Sequence, residues 1–172
     1  QDVRMFFKYD ETLVIYTASG TGAWEAALVN SLSPGDRVLM YETGQFSTLW
    51  CNLAERIGLK PQFIPGDWRH GTDAAVIQET LQKDSAHEIK AVCVVHNDTS
   101  TGITSDVPAV RKAIDAAGHP ALLMVDVLSS LGSIDYRHDE WGVDVTVGGS
   151  QKGLMLPPGL SFNAVSVKAQ VT

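Results

Sequence analysis

Short apolar runs alternate with amphipathic segments along the chain, and this alternation predicts an α/β fold with a mainly parallel sheet. The runs that predict strands are 12–16, 37–42, 61–65, 89–96, 121–128, 143–149 and 160–167. The run 89–96 is almost continuously apolar, which is typical of a strand buried on both faces. We therefore predict a sheet of the seven-stranded type, flanked by helices.

Apolar residues with helical spacing predict the helices between these strands. The first helix is predicted over 23–32, after a glycine-rich turn. The second has an apolar face and can end at Gly58; this face comprises Phe46, Leu49, Trp50, Leu53 and Ile57. Two further helices are predicted after Asp73 and after Ser105 or Asp106, which are residues that cap helices. Their apolar positions are Ala74, Ile77 and Leu81 in one, and Val107, Val110 and Ile114 in the other.

Composition narrows the kind of protein further. With 172 residues, 44% of them hydrophobic and 19% charged, the chain is typical of one soluble globular domain. A net charge of -7 argues against a nucleic-acid partner, and no apolar run approaches the ~20 residues of a membrane helix. Cys51 and Cys93 lie within apolar patterns, which favours buried thiols over a disulfide or a metal site.

The turn after the first predicted strand, residues 19–23, reads SGTGA and leads directly into a helix. Glycines allow close approach of the backbone, and helical N–H groups favour an anion, so the turn could bind phosphate or be a plain tight turn. A dinucleotide-binding turn is a further alternative, because Glu42 ends the second strand about twenty residues later. Glu25, however, occupies the position of that motif's third glycine.

Polar residues also end two central strands. In HNDTSTG (96–102), Asn97 and Asp98 are best interpreted alone as caps of a turn. Asp126 ends an apolar strand, where a carboxylate is costly without a partner; a turn or a protonated ring nitrogen could supply one. His96 and His138 are predicted to be hydrogen-bonded structural residues, since no further ligand lies at metal spacing.

Lys152 lies in GGSQKGLMLPPG (148–159), among small and turn-forming residues after another apolar strand. A partly dehydrated lysine has a lowered pKa and can form a Schiff base. A phosphate turn, a partner for a ring nitrogen and such a lysine are three requirements of pyridoxal 5′-phosphate. The sequence therefore predicts this cofactor.

The sequence resembles the class V, fold-type-I, pyridoxal-phosphate-dependent aminotransferases, and most closely the serine–glyoxylate group. The resemblance covers nearly the whole chain and rests on SGTGAWEAAL, LSPGDRVL, GQFS, HNDTSTG, ALLMVDVLSSLG, DEWGVDV and GSQKGLMLPPGL. It implies that 1–172 is the cofactor-binding large domain of a fold-type-I enzyme. It also implies a fragment without the N-terminal segment and the C-terminal small domain, whose arginine binds the substrate carboxylate.

The resemblance implies a role for each residue of the site. Lys152 would form the imine and move the substrate proton, while Asp126 would pair with the pyridine nitrogen. The residues implied to bind phosphate are Thr21, Gly22, Ala23 and Gln151, Ala23 through its backbone alone. The ring would lie between Phe46 and Leu128, with Thr99 bonding its 3′-oxygen. Periodicity alone equally supports Phe46 as a core residue.

The implied reaction is transfer of an amino group from serine, or alanine, to glyoxylate, with hydroxypyruvate or pyruvate and glycine as products. The implied partners are small amino acids and 2-oxo acids, with no nucleic acid and no membrane, in a homodimer or larger homo-oligomer. We expect a cytoplasmic location in a bacterium, or a peroxisomal one in a plant, and an inactive fragment in isolation.

Three other functions stay open. Another class V enzyme, such as an alanine–glyoxylate or an aminophosphonate aminotransferase, could use the same cofactor residues. A nicotinamide-dependent oxidoreductase conflicts with Glu25 and leaves Lys152 unexplained. A non-catalytic α/β module would bind no pyridoxal phosphate.

Overall fold

The computed structural model describes residues 3–9 and 12–171. The strands are β1 Leu13–Thr17, β2 Arg37–Tyr41, β3 Lys60–Ile64, β4 Ile89–Val95, β5 Leu122–Asp126, β6 Val145–Gly149 and β7 Leu160–Val165. The helices are α1 Arg4–Phe7, α2 Gly20–Ser31, α3 Gln45–Arg56, α4 Ala74–Lys83, α5 Val107–Ala116 and α6 Val167–Gln170. Within the described ranges, each helix is too short or too polar to cross a membrane.

The strands form one seven-stranded sheet in the order β1-β7-β6-β5-β4-β2-β3. The pairs among β2 to β6 are parallel, whereas β7 is antiparallel to both β6 and β1. The prediction of a mainly parallel sheet is confirmed. Strand β7 therefore presents its amino end to the edge at which β1 ends, since its first residue, Leu160, pairs with the last residue of β1, Thr17.

Each central strand supplies residues to two cores, one on each face of the sheet. In β4, Val92 and Val94 belong to one core, while Ala91 and Cys93 belong to the other. This is the alternation of side chains along a strand, and it confirms that the apolar run is buried on both faces. Helices α4 and α5 cover the first core, and α2 and α3 cover the second.

The helix caps were predicted more reliably than the helix faces. Asp73 and Asp106 cap α4 and α5, as predicted. Of the apolar face predicted for α3, Trp50 is fully buried and Phe46, Leu53 and Ile57 pack against the core, whereas Leu49 is 42% exposed. Ser47, Cys51 and Ala54 on α3 are buried as well. Both cysteines are buried free thiols, as expected, and burial raises the pKa of Cys51 to about 11.

Candidate active site

A cavity of about 210 Å³ opens where β1, β4, β5 and β6 end. Among the residues that line it are most of those predicted for the site: Thr21, Phe46, Thr99, Asp126, Leu128, Gln151 and Lys152. Trp24 and Ser129, which the sequence analysis did not single out, also line the cavity. Gly22 and Ala23 do not line it.

The start of α2 differs from the predicted one by a full turn. Ser19 is the N-cap, its Oγ accepting from the Gly22 N–H at 3.5 Å, so the helix begins at Gly20 within the supposed turn. Ala23 is fully buried, and its N–H donates to Ser19 O at 2.9 Å. The Ala23 N–H is thus already used within the helix, and the phosphate role predicted for Ala23 stays a prediction. The first-turn N–H groups of Gly20, Thr21 and Gly22 precede the first intrahelical bond and are the donors at this end.

The start of α2 approaches Leu128 closely at Gly20. A Cβ at this position would lie 2.1 Å from Leu128 Cδ2, so a side chain there would make the end of Leu128 shift. Leu128 lines the cavity just beyond β5. The glycine therefore allows the start of α2 and the wall formed by Leu128 to meet.

Asp126 is 4% exposed and both of its carboxylate oxygens accept hydrogen bonds. Oδ1 accepts from the Leu128 N–H and Oδ2 from Trp24 Nε1, each at 2.7 Å. Burial raises the pKa of Asp126 to about 6; the Leu128 and Trp24 bonds oppose this, the charge of Asp98 adds to it, and Lys152 opposes it weakly. The carboxylate thus caps a turn, which is one of the two interpretations left open by the sequence, and it also lines the cavity.

Asp98 is a cap, as predicted, but of a distant helix. It is fully buried, and Oδ2 accepts from the N–H groups of Phe46 at 3.1 Å and Ser47 at 3.2 Å. Oδ1 accepts from the backbone and the hydroxyl of Ser100. Asp98 therefore fixes the first turn of α3, and with it the position of Phe46 beside the cavity.

We predict that Asp98→Ala lowers the free energy of unfolding by about 3 kcal/mol, because it leaves buried N–H groups without an acceptor. Asp73→Ala is the matched control, since Asp73 caps α4 with two N–H bonds but is exposed. That change should cost about 1 kcal/mol, the usual value for an N-cap. Urea denaturation of both variants measures the difference, and equal losses would contradict the assigned role of Asp98.

Ser150 holds the two ends of the Lys152 segment together through hydrogen bonds. The Ser150 hydroxyl donates to Pro157 O at 2.6 Å, and its backbone pairs with Leu160 and Leu156. Gly153 lies against the 131–133 turn, where a Cβ would be 2.3 Å from Leu131 O. Lys152 is exposed and lines the cavity. Its position is thus set by the backbone on both sides of it.

The wall beside β4 and β5 is polar. The Thr99 and Ser129 hydroxyls hydrogen-bond to each other, and both residues line the cavity. Asn97 holds the intervening turn by donating to Gly102 O and Thr104 Oγ1. This wall offers hydroxyl groups to a polar ring substituent, which is consistent with the role predicted for Thr99.

His96 and His138 are structural, as predicted. They are buried and hydrogen-bond through Nδ1 to Ser130 Oγ at 2.9 Å and Thr146 Oγ1 at 2.6 Å. Burial lowers the pKa of each to about 4. No cluster of metal-binding side chains occurs within residues 3–9 and 12–171.

The donors and acceptors around the cavity fit the predicted cofactor. Helical N–H groups at one end suit a phosphate, while the buried carboxylate of Asp126 suits a protonated ring nitrogen. Lys152 supplies the amine, and Phe46 and Leu128 supply apolar surfaces. The cradle depends on Gly20, at which any Cβ would collide with the Leu128 wall.

Comparison with known proteins gives consistent matches over the whole chain. Residues 1–172 match the family described as Aminotransferase class-V. The chain is 55% identical to a serine–glyoxylate aminotransferase of Hyphomicrobium methylovorum over 98% of its length. It is 52% identical to an L-aspartate–glyoxylate aminotransferase of Paracoccus denitrificans over 90% of its length. Among solved structures, an aspartate aminotransferase of Thermus thermophilus matches with a TM-score of 0.86 and 34% identity over 97% of the chain.

The chain spans less than half the length of these proteins. It covers 42% of the Hyphomicrobium protein, 39% of the Paracoccus protein and 46% of the Thermus chain. The matched part contains every residue of the cavity described above.

Proposed function

The chain belongs to the class-V aminotransferase family, and we propose that it forms the pyridoxal-phosphate half of a site that transfers amino groups to glyoxylate. The observation that carries this proposal is one cavity lined by the amine of Lys152, the buried carboxylate of Asp126 and the start of α2. The proposal assigns 1–172 to the cofactor-binding domain.

When bound, pyridoxal phosphate supplies an aldehyde that condenses with amines and a ring that accepts electrons from a carbon losing its proton. The chain's own residues do the rest. Lys152 would hold the cofactor through its amine, and the same amine, when free, would move a proton from the donor's α-carbon. Asp126 would stabilise a positive ring nitrogen, and Gly20, Thr21 and Gly22 with Gln151 would hold the phosphate.

The remaining predicted residues orient the ring in this proposal. Phe46 and Leu128 would lie on its two faces, and the hydroxyl of Thr99 would bond the 3′-oxygen. Residues that fix the orientation of a bound group would contribute to the rate by positioning the reacting atoms.

Glyoxylate is the proposed acceptor, because the names of the serine–glyoxylate and the L-aspartate–glyoxylate relatives both include it. We propose serine as the donor, since serine–glyoxylate aminotransferases match at 55%, 54% and 47% identity. A homodimer or larger homo-oligomer, and a cytoplasmic location or a peroxisomal one in a plant, belong to the same proposal. An aminophosphonate donor is the alternative within the family.

We predict that mixing the chain with pyridoxal phosphate produces a visible absorbance band, which borohydride converts into a stable adduct on Lys152. Lys152→Ala should lose both the band and the adduct, because Lys152 is the amine that lines the cavity. Lys112→Ala, on the exposed face of α5, should retain them. Absorbance spectra measure the band, and peptide masses locate the adduct. An adduct on another lysine, with none on Lys152, would contradict the assigned site.

Donor choice is tested separately, by supplying serine, alanine or aspartate with glyoxylate and measuring glycine. Serine should be the fastest donor in the protein that contains this chain together with a substrate-carboxylate arginine. Faster transfer from aspartate would reject serine while leaving the glyoxylate acceptor and the cofactor site in place.

A further inference from the structure

Trp24, on α2, makes a buried hydrogen bond to Asp126, the last residue of β5. Its indole Nε1 donates to Asp126 Oδ2 at 2.7 Å, across 102 positions of sequence. Trp24 is 5% exposed and Asp126 is 4% exposed. A charge-assisted bond of this length between buried groups is among the stronger hydrogen bonds in proteins.

The indole ring is held in place by its aromatic neighbours. Trp24 stacks on Trp50 with ring centroids 5.9 Å apart and planes 13° from parallel. Phe46 lies at 6.5 Å on a tilted plane. Because the ring is packed against α3 and lies at the cavity, its N–H cannot turn to another acceptor without disrupting these contacts.

The other groups around the Asp126 carboxylate complete its environment. The Leu128 N–H binds Oδ1, the carboxylate of Asp98 repels, and the amine of Lys152 attracts. A carboxylate has about four acceptor directions. The Leu128 and Trp24 bonds use one on each oxygen, which leaves the others for a group in the cavity.

We propose that Trp24 is a positioning residue that acts through Asp126. Its indole N–H fixes the plane of the carboxylate and favours the ionised state that a positive ring nitrogen requires. The part that this contact plays in the reaction rests on the proposed function. The hydrogen bond itself and its effect on Asp126 are properties of the chain without any ligand.

Two Trp→Phe changes in the same stacked pair separate the hydrogen bond from packing. Trp24→Phe removes the N–H that binds Asp126. Trp50→Phe is the matched control, because Trp50 is fully buried in the same stack and its Nε1 has no partner among the described residues. Replacing Trp24 by 3-benzothienylalanine, which keeps the bicyclic ring without an N–H, provides a second variant if phenylalanine perturbs folding.

The readout is the carbon-13 NMR titration of the Asp126 carboxyl, assigned by its disappearance in Asp126→Asn. The unmodified chain should titrate near the pKa of about 6 that burial gives Asp126. Both Trp24 variants should titrate at higher pH, because they lose a bond to the ionised form. Trp50→Phe should titrate as the unmodified chain does. A folded Trp24 variant with an unchanged titration would overturn the inference.

Cofactor binding supplies the functional readout. At neutral pH, Trp24→Phe should bind pyridoxal phosphate about ten-fold more weakly than Trp50→Phe, the loss expected for one bond to a charged group. Equal affinities would overturn the positioning role. If no variant binds the cofactor, the proposed function fails, while the NMR titration still decides whether Trp24 controls Asp126.

Discussion

Gly153→Ala is expected to remove nearly all covalent capture of pyridoxal phosphate by Lys152. A Cβ on Gly153 would lie 2.3 Å from both Leu131 O and Ser133 Oγ, and 3.0 Å from the Ser133 nitrogen. The serine hydroxyl can rotate away, but the backbone oxygen cannot. The segment that follows Lys152 must therefore move outward, and displacement of a catalytic group by about 1 Å can reduce a rate about 100-fold.

Stability should change much less than capture. Extra atoms in a packed site usually cost about 1–3 kcal/mol, which a folded domain tolerates. Gly118→Ala is the control, because Gly118 has a φ of +62°, open space around it and a place at the end of α5, away from the cavity. It should lose a comparable amount of stability through the left-handed backbone and retain the absorbance band.

Titration with pyridoxal phosphate, followed by borohydride and peptide mapping, measures capture, and urea denaturation measures stability. Capture by Gly153→Ala at unchanged cofactor concentrations would show that the 131–133 turn does not position Lys152. Loss of capture in Gly118→Ala as well would attribute the effect to general destabilisation instead.

The sequence predicted the sheet well because strand burial depends on local pattern. The run around β4 is apolar at successive positions, and such a run has few stable placements other than the middle of an α/β sheet. Caps are equally local, so Asp73 and Asp106 were correctly placed at the starts of α4 and α5. Clustering of Asp126 and Lys152 also followed, since parallel strands end at the same edge.

The sequence pattern could not predict contacts between residues that are far apart in the chain. Nothing local to Trp24 shows that its N–H meets Asp126, and nothing in HNDTSTG shows that Asp98 caps α3. The reversed β7 was also missed, because an apolar run has no direction of its own. The start of α2 was misplaced for a local reason: Ser19 already caps the helix, so the Ala23 N–H makes an intrahelical bond.

Leu49 shows a further limit of periodicity. Large apolar residues were taken to define the buried face of α3, yet Ser47 and Ala54 are buried while Leu49 is 42% exposed. Ser47 is drawn inward because its N–H binds the buried carboxylate of Asp98 and its hydroxyl binds Gly44 O. A polar contact to another segment thus buries a residue that the apolar pattern does not mark.

The free energy of unfolding of Asp126→Asn, minus that of the unmodified chain, is expected to rise by about 2 kcal/mol between about pH 4 and pH 7. Burial raises the pKa of this carboxyl from its ordinary value of 3.8 to about 6 in the folded chain. The folded state therefore binds more protons than the unfolded state in this range. Stability contributed by the protonated form is complete below about pH 4 and is lost as the pH rises through about 6.

Asparagine cannot ionise, so the variant lacks this loss. It retains a constant cost, because its amide oxygen can accept from Leu128 or Trp24 but its amide nitrogen cannot replace the second acceptor. His96 and His138, whose pKa burial lowers to about 4, make both proteins more stable over the same range. Their effect cancels when the two curves are subtracted, which leaves the contribution of Asp126.

Urea denaturation at several pH values between 4 and 7 gives the two curves. Parallel curves would show that burial does not raise the pKa of Asp126 above its ordinary value. Diverging curves would show that the empty site stores an unfavourable charge. A positively charged ring nitrogen relieves that charge, so saturating pyridoxal phosphate should stabilise the unmodified chain more than Asp126→Asn.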